Sequence, residues 1–108
     1  MAKFTVYQIK RANRALASRA LFYGISDTFT QADARNAFAS GDYNLAADVE
    51  ANSIPEMRQI IDTDRGSSRL VPRGPLRNIA IGDIIHNTET DVYFIVATNT
   101  YDRIKIRR

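Results

Sequence analysis

The stretch that decides the fold is residues 43–51, YNLAADVEA. Apolar side chains occupy every second position, and most of the positions between them are polar or charged; the apolar set is Tyr43, Leu45, Ala47, Val49 and Ala51. A period of two residues is typical of a β-strand with one face against a core and the other toward solvent. The pattern therefore predicts a half-buried strand.

Helices are predicted on both sides of this strand along the chain. After it, Ser53 and Glu56 form a capping box ahead of an apolar run. Before it, one helix is predicted to begin at Thr30 and end at Gly41, and a shorter one to begin at Asn13. The apolar face of the shorter helix is expected to comprise Ala15, Leu16, Ala20 and Leu21.

Short apolar runs predict four further strands, at residues 3–10, 79–85 (broken by Gly82), 92–97 and 101–106. Residues 62–78 are rich in Gly, Ser, Pro and Arg and are expected to form one long loop. Gly82 and Asp83 are expected to make a bulge or tight bend, with Asp83 accepting hydrogen bonds from nearby backbone N–H groups. We predict an α+β fold: a single domain over residues 1–108, with a mainly antiparallel sheet and two to three short helices packed on one face.

The net charge of +3 hides a division of the chain into basic, acidic and basic blocks. Residues 1–23 hold five basic and no acidic side chains, residues 24–64 hold eight acidic against two basic, and residues 65–108 hold eight basic against four acidic. If the two basic blocks share a face, they form a positive surface that steers acidic partners. In the alternative interpretation, the blocks neutralise one another across the fold.

Several classes of protein are excluded or disfavoured by composition. The absence of cysteine rules out disulfides, thiol catalysis and zinc–thiolate sites. No apolar run approaches the roughly 18 residues of a membrane span, and no signal-peptide core is present, so we expect no membrane association and a cytoplasmic location.

The residues needed for catalysis are also scarce. His86 is the only histidine, and no nucleophile-elbow motif accompanies it. Asp62 and Asp64 could approach a metal ion, but the glycine and the distant glutamate of an EF-hand loop are missing. Neither GxxxxGK[ST] nor GxGxxG occurs. We therefore expect no catalytic residue, no cofactor and no metal, and interpret the protein as a non-enzyme.

Three groups of side chains are candidates for binding a macromolecular partner. The first group is basic and aromatic, and consists of Arg11, Arg14, Arg19, Phe22 and Tyr23. The second recurs every four residues in the expected loop: Arg65, Arg69, Arg73 and Arg77. The third alternates along or beyond the last strand: Arg103, Lys105 and Arg107. Phe22 and Tyr23 have an alternative place in the core, and the third group can equally be the solvent face of an edge strand.

Residues 70–74, LVPRG, are identical to the thrombin-cleavage sequence used in affinity tags. The preceding Gly66-Ser67-Ser68 is also typical of such tags, although tags are normally terminal. An engineered loop around residues 66–75 and a natural coincidence are both compatible with the sequence. If the loop is engineered, the four-residue arginine spacing has no biological meaning.

Several blocks of the sequence resemble the YodL-like small proteins. The resemblance is carried, in order along the chain, by residues 3–10 (KFTVYQIK), 41–45 (GDYNL), 80–85 (AIGDII), 93–97 (YFIVA) and 101–104 (YDRI). Two departures occur: the family often has Gly-Phe where this chain has Thr100-Tyr101, and residues 62–78 match nothing in the family.

The YodL-like proteins occur in tailed phages and mobile elements, sometimes as modules of large antirestriction-type polyvalent proteins. The resemblance implies a phage origin and action on the host, with no catalytic residue to carry over. The leading hypothesis is therefore a small binding protein that inhibits or redirects a host protein, possibly a defence component, in the host cytoplasm. The runner-up is a nucleic-acid-binding accessory protein that contacts the phosphate backbone. The sequence leaves the oligomeric state open.

Overall fold

The computed structural model describes residues 1–106 of the chain. These residues form six strands and three helices, in the order β1 (Ala2–Ile9), α1 (Arg14–Ala20), α2 (Gln31–Ala39), β2 (Tyr43–Ala51), α3 (Ile54–Thr63), β3 (Leu70–Pro72), β4 (Ile84–Asn87), β5 (Val92–Val96) and β6 (Tyr101–Ile104). The strands make one sheet in the order β3-β2-β1-β4-β5-β6, and every neighbouring pair is antiparallel. The predicted α+β single domain with an antiparallel sheet is confirmed.

The helix starts follow the predicted capping signals. The side-chain oxygen of Asn13 accepts a hydrogen bond from the backbone N–H of Leu16 at the start of α1. Thr30 and Asp33 form a reciprocal capping box at the start of α2. Ser53 caps α3. Each cap pairs a backbone donor that has no partner within the helix, so these starts are fixed locally.

The two faces of the sheet carry separate cores. Adjacent residues of a strand point to opposite faces, and Ile84 and Ile85 accordingly belong to different hydrophobic clusters. The Ile84 cluster contains Leu16 of α1 and Ala34 of α2, whereas the Ile85 cluster contains Met57 of α3. The expectation that all helices pack on one face was therefore wrong: α1 and α2 cover one face, and α3 covers the other.

Strand β2 contains a bulge that changes its predicted faces. Val6 pairs with Ala47, but the next residue, Tyr7, pairs with Leu45, so Ala46 is an extra residue in β2. Ala46 is buried and Leu45 is partly exposed. The strand itself was predicted correctly, but the strict alternation failed at Leu45 because the bulge shifts the phase of the side chains.

Two of the predicted boundaries were wrong. Residues 62–78 are not one loop, since α3 extends to Thr63 and β3 pairs with β2 along the edge of the sheet. The strand predicted at 79–85 begins only at Ile84, and the residues before it form an irregular segment whose end is marked by Gly82 with φ of +93°. That segment forms part of the candidate site.

Candidate functional site

A cleft of about 460 Å³ opens between the end of β1, helix α1 and residues 77–83, and we call it the α1 cleft. Three of the predicted partner-binding residues line it, Arg11, Arg14 and Arg77. Arg11 and Arg14 are exposed, and they make no hydrogen bond or ion pair with any other residue of the described range 1–106. The fold therefore unites the basic N-terminal group with the last arginine of the long connection.

The floor of the cleft is a buried carboxylate. Asp83 is 1% exposed, and its Oδ2 accepts hydrogen bonds from Gln8 Nε2 at 3.1 Å and from the backbone N–H of Ala80 at 2.9 Å. Its Oδ1 lies 3.7 Å from Nη2 of Arg77. The predicted bend with Asp83 bonded to nearby backbone is confirmed, and the carboxylate fixes the segment in front of β4.

The protonation of Asp83 is set mainly by its burial. Loss of water around the carboxylate raises the pKa of Asp83 to about 7, because burial disfavours the charged form. The N–H of Ala80, the charge of Arg77 and the amide of Gln8 act in the opposite direction. Since its oxygens are held by these structural donors, Asp83 acts as an internal tie rather than as a free acid or base.

Gln8 is a part of the site that the sequence did not reveal. Its Nε2 donates to the carbonyl of Arg77 at 2.9 Å, and its Oε1 accepts from the backbone N–H of Arg77 at 3.1 Å. Arg77 in turn donates from Nη1 to the carbonyl of Ile9 at 3.0 Å. Irregular backbone needs such partners when it is buried. No spacing could identify Gln8, because its partners lie 69 to 75 residues away along the chain.

An apolar patch adjoins the cleft, formed by Leu21, Phe22 and Ile25 directly after α1; we call it the α1 tip. These side chains are 50%, 48% and 62% exposed. Tyr23 between them is only 6% exposed, and its phenol donates to Asp102 at 2.8 Å. The core alternative is therefore correct for Tyr23 and wrong for Phe22, and Leu21, which was expected on the buried helix face, belongs to the surface.

Most arginines of the second group are engaged within the fold. Arg65 donates to the carbonyl of Ile61 at 2.8 Å and to the side chain of Asn78 at 2.6 Å. Two others pair with acidic residues of the middle block: Arg69 with Glu56 at 2.9 Å, and Arg73 with Asp48 at 3.4 Å. Their four-residue spacing therefore reflects contacts within the chain, and at these positions the charge blocks neutralise one another.

Arg19 is likewise engaged. Its guanidinium lies 3.7 Å from the carboxylate of Asp33 and donates to the carbonyl of Thr28 at 3.3 Å. The guanidinium carbon also lies 6.0 Å from the ring centre of Phe29. Arg19 therefore joins α1 to the start of α2, and it is not among the residues that line the α1 cleft.

The third group lies elsewhere on the surface. Arg103 and Lys105 line a groove of about 900 Å³ beside α2, together with Arg35, which the sequence did not single out. Aspartate also contributes to this groove through Asp91. The predicted residue Arg107 lies outside the described residues. The fold thus separates the candidate cations into two open surfaces and one set that is used internally.

The histidine and the aspartate pair have structural partners. His86 stacks on Tyr93, with ring centres 3.9 Å apart, and its Nε2 lies 2.8 Å from Oδ1 of Asp91. Asp62 accepts from the backbone N–H of Ile79 at 3.0 Å and lies 3.6 Å from Arg58. Within residues 1–106, no group of three or more His, Cys, Asp or Glu side chains is arranged to hold a metal ion.

In the comparisons with known proteins, no family model matches the chain, and neither a curated protein nor a solved structure shows a significant match. None of the helices in the described part of the chain has the length and apolar character that crossing a membrane requires. The resemblance to the YodL-like proteins therefore stays a prediction, and the function has to be argued from the surfaces of the molecule.

Proposed function

We propose that this chain is a small non-enzymatic binding protein whose contact surface is the α1 tip. The observation that carries the proposal is the contiguous exposure of Leu21, Phe22 and Ile25, each about half exposed or more. Contiguous apolar side chains on a surface are typical of interaction sites. Aromatic residues and arginines are enriched at the energetic centres of protein interfaces, and here Phe22 is close in sequence to Arg14.

The backbone of the α1 tip supports this proposal because it is already ordered. Phe22 N–H donates to the carbonyl of Arg19 at 3.0 Å, and Ile25 N–H donates to the carbonyl of Phe22 at 2.9 Å. Tyr23 anchors the same turn through its contact with Asp102. A partner that docks here has little loop entropy to overcome, and such preorganisation favours affinity.

The absence of enzymatic activity is part of the proposal. Its support is the engagement of the groups best suited to acid–base chemistry. Asp83 is bonded to Gln8 and Ala80, and His86 is stacked on Tyr93 and paired with Asp91. General acid–base catalysis needs a group within hydrogen-bond reach of a substrate atom. These two side chains instead have structural partners.

Together with the resemblance to the YodL-like proteins, the α1 tip leads us to place the partner among host proteins. The proposed action is to inhibit or redirect that protein, which could be a defence component, in the cytoplasm of the host. The proposed origin of the chain in a phage rests on the same resemblance. Recognition then depends on shape and apolar burial at the α1 tip, supported by the arginines beside it.

The test is capture from a host lysate with three forms of the tagged protein: the wild type, Leu21→Ser/Phe22→Ser, and Val71→Ser. Val71 is a matched control because it is also 50% exposed but lies on β3, at the edge of the sheet. We expect the wild type and Val71→Ser to retain the same host protein and the double variant to lose it. Equal capture by all three forms, or no protein above background, would contradict the proposal.

A second candidate function is binding to nucleic acid through the groove beside α2. It is favoured by one observation, namely that Arg35, Arg103 and Lys105 line the same groove. It is disfavoured by the internal engagement of Arg65, Arg69 and Arg73. Gel-shift titrations with DNA and RNA at two salt concentrations test it: this function predicts steeply salt-dependent binding that Arg103→Ala/Lys105→Ala weakens.

A further inference from the structure

The α1 cleft contains more positive charge than the fold uses. Arg11 and Arg14 lie at its walls with no hydrogen bond or ion pair to other residues in 1–106. Like charges this close in sequence repel one another unless an anion lies between them. Guanidinium groups are also well suited to binding carboxylates, because their N–H donors match the two oxygens.

The third arginine of the cleft is held in place from inside. Arg77 donates from Nη1 to the carbonyl of Ile9 at 3.0 Å, and its Nη2 lies 3.7 Å from Asp83, beyond hydrogen-bond length. A guanidinium carries five N–H donors, so this contact leaves others available at the cleft. Fixing the side chain in advance reduces the entropy lost when an anion binds.

The remaining walls of the cleft are largely apolar. Ile9, Leu21 and Ile81 line it together with small alanine side chains. A volume of about 460 Å³ lies within the roughly 300–1,000 Å³ typical of ligand pockets. The cleft therefore suits a group that combines a negative charge with an aliphatic or aromatic stem, rather than a fully hydrated inorganic ion.

Leu21 belongs to both the cleft and the α1 tip, so the two form one continuous surface. We propose that the α1 cleft binds an acidic segment of the partner protein, with a glutamate or aspartate side chain between the arginines and a neighbouring apolar side chain against Leu21 and Ile81. This inference rests on the proposed function, because it names the chemistry of the partner that the α1 tip contacts.

The probes for this inference are two synthetic peptides that share the same leucines and differ only in charge, one with glutamates and one with lysines in their place. Binding is followed by the shifts of backbone amide signals in ¹⁵N-labelled full-length protein. We expect the glutamate peptide to shift signals of residues 9–21 and 77–83, and the lysine peptide to leave them unchanged. Glutamate-peptide shifts centred on the groove beside α2 would overturn the inference.

Charge-reversal variants make the test specific. Arg11→Glu/Arg14→Glu should weaken binding of the glutamate peptide by about tenfold or more, since it replaces attraction by repulsion. Arg35→Glu/Lys105→Glu changes the net charge equally but lies outside the cleft, and it should leave binding within about twofold. Equal weakening by both variants would show that only the overall charge matters and would overturn the inference. The dispersion of amide signals verifies that each variant is folded.

Two further arms separate this inference from other outcomes. If acetate or inorganic phosphate shifts the same signals at the same concentration as the peptide, the cleft is a small-anion site and the inference fails. If host-protein capture depends on Leu21 and Phe22 but is unchanged by Arg11→Glu/Arg14→Glu, the proposed function stands and the acidic-segment inference fails. If capture depends on neither pair, both fail.

Discussion

The phenol of Tyr43 donates a hydrogen bond of 2.7 Å to the carbonyl of Gly82, which joins the first residue of β2 to the bend before β4. Both partners are buried. Gly82 also donates its own N–H to the carbonyl of Val96 at 2.9 Å. The bend that carries Asp83 is therefore tied to β2, to β5 and, through Gln8, to β1.

Replacing Tyr43 with Phe tests this contact. We expect Tyr43→Phe to lower the free energy of unfolding by about 1–3 kcal/mol, because the buried carbonyl of Gly82 loses its partner. The control is Tyr101→Phe, since the hydroxyl of Tyr101 receives only a long contact of 3.5 Å from Arg58 and should matter by about 0.5 kcal/mol or less. Urea unfolding measures both. Equal losses in the two variants would contradict the special role of Tyr43.

Gly82 should tolerate no side chain. A Cβ there would lie 2.6 Å from the Cβ of Ala20 and 2.9 Å from its carbonyl oxygen, and φ is +93°. We expect Gly82→Ala to cost about 3 kcal/mol or more, the sum of backbone strain and overpacking. Thermal or urea unfolding measures the loss.

Two other glycines separate the causes of that loss. Gly41 has φ of +79° but open space around it, so Gly41→Ala should show strain alone, about 1–2 kcal/mol. Gly66 has neither feature, and Gly66→Ala should be neutral or slightly stabilising. The explanation fails if Gly82→Ala costs no more than Gly41→Ala.

Asp83 should make the stability of the protein depend on pH. Because burial raises its pKa to about 7, the folded protein holds this proton more tightly than the unfolded chain, where the pKa is 3.8. Protonation therefore favours folding, and the free energy of unfolding should fall as the pH rises from about 4 to about 7 and then level off. At about 1.4 kcal/mol per pKa unit, the total fall is on the order of 4 kcal/mol.

Asp83→Asn isolates this effect. The variant has no proton to bind, so its stability should lack the decline between pH 5 and pH 7 that the wild type shows. Asp33 and Glu56, whose pKa values are lowered mainly by backbone hydrogen bonds, affect stability only at more acidic pH and should behave alike in both proteins. Urea unfolding at pH 5, 6, 7 and 8 measures the slopes, and equal slopes would rule out Asp83 as the cause.

The thrombin-type sequence should be cut slowly in the folded protein. Residues 70–72 are paired with β2, Arg73 N–H donates to the carbonyl of Ala46 at 2.9 Å, and its side chain pairs with Asp48. A protease needs this segment detached from the sheet, so cleavage should follow local opening. Digestion should be much slower than for the same five residues in a flexible tag, and Asp48→Ala should speed it. Wild-type cleavage as fast as the tag would refute the protection.

The parts of the fold that were predicted correctly depend on residues close together in sequence. The Asn13, Thr30 and Ser53 caps act within three residues, and each helix begins where its cap predicts. The bend at Asp83 was also found from its local pattern. The bulge at Ala46 could not be found, because an extra residue in a strand is visible only against the partner strand.

The candidate site was predicted only in part. Arg11, Arg14 and Arg77 were singled out, but their union in one cleft depends on how β1, α1 and residues 77–83 pack. Gln8 was not identified, because a polar residue in a strand has no local feature that indicates a buried partner. The four-residue spacing of arginines suggested an open basic surface, whereas the fold directs Arg69 and Arg73 to acidic residues of the middle block.

By itself, the sequence determined where helices begin, which segments are extended, and how charge is divided along the chain, since capping and alternation act over a few residues. The tertiary structure alone decided that α3 covers the opposite face from α1 and α2, that Tyr23 is buried while Phe22 is exposed, and which arginines stay free to bind a partner. The physical reason is that burial and ion pairing depend on groups distant in sequence, and only the packed fold brings those groups into contact.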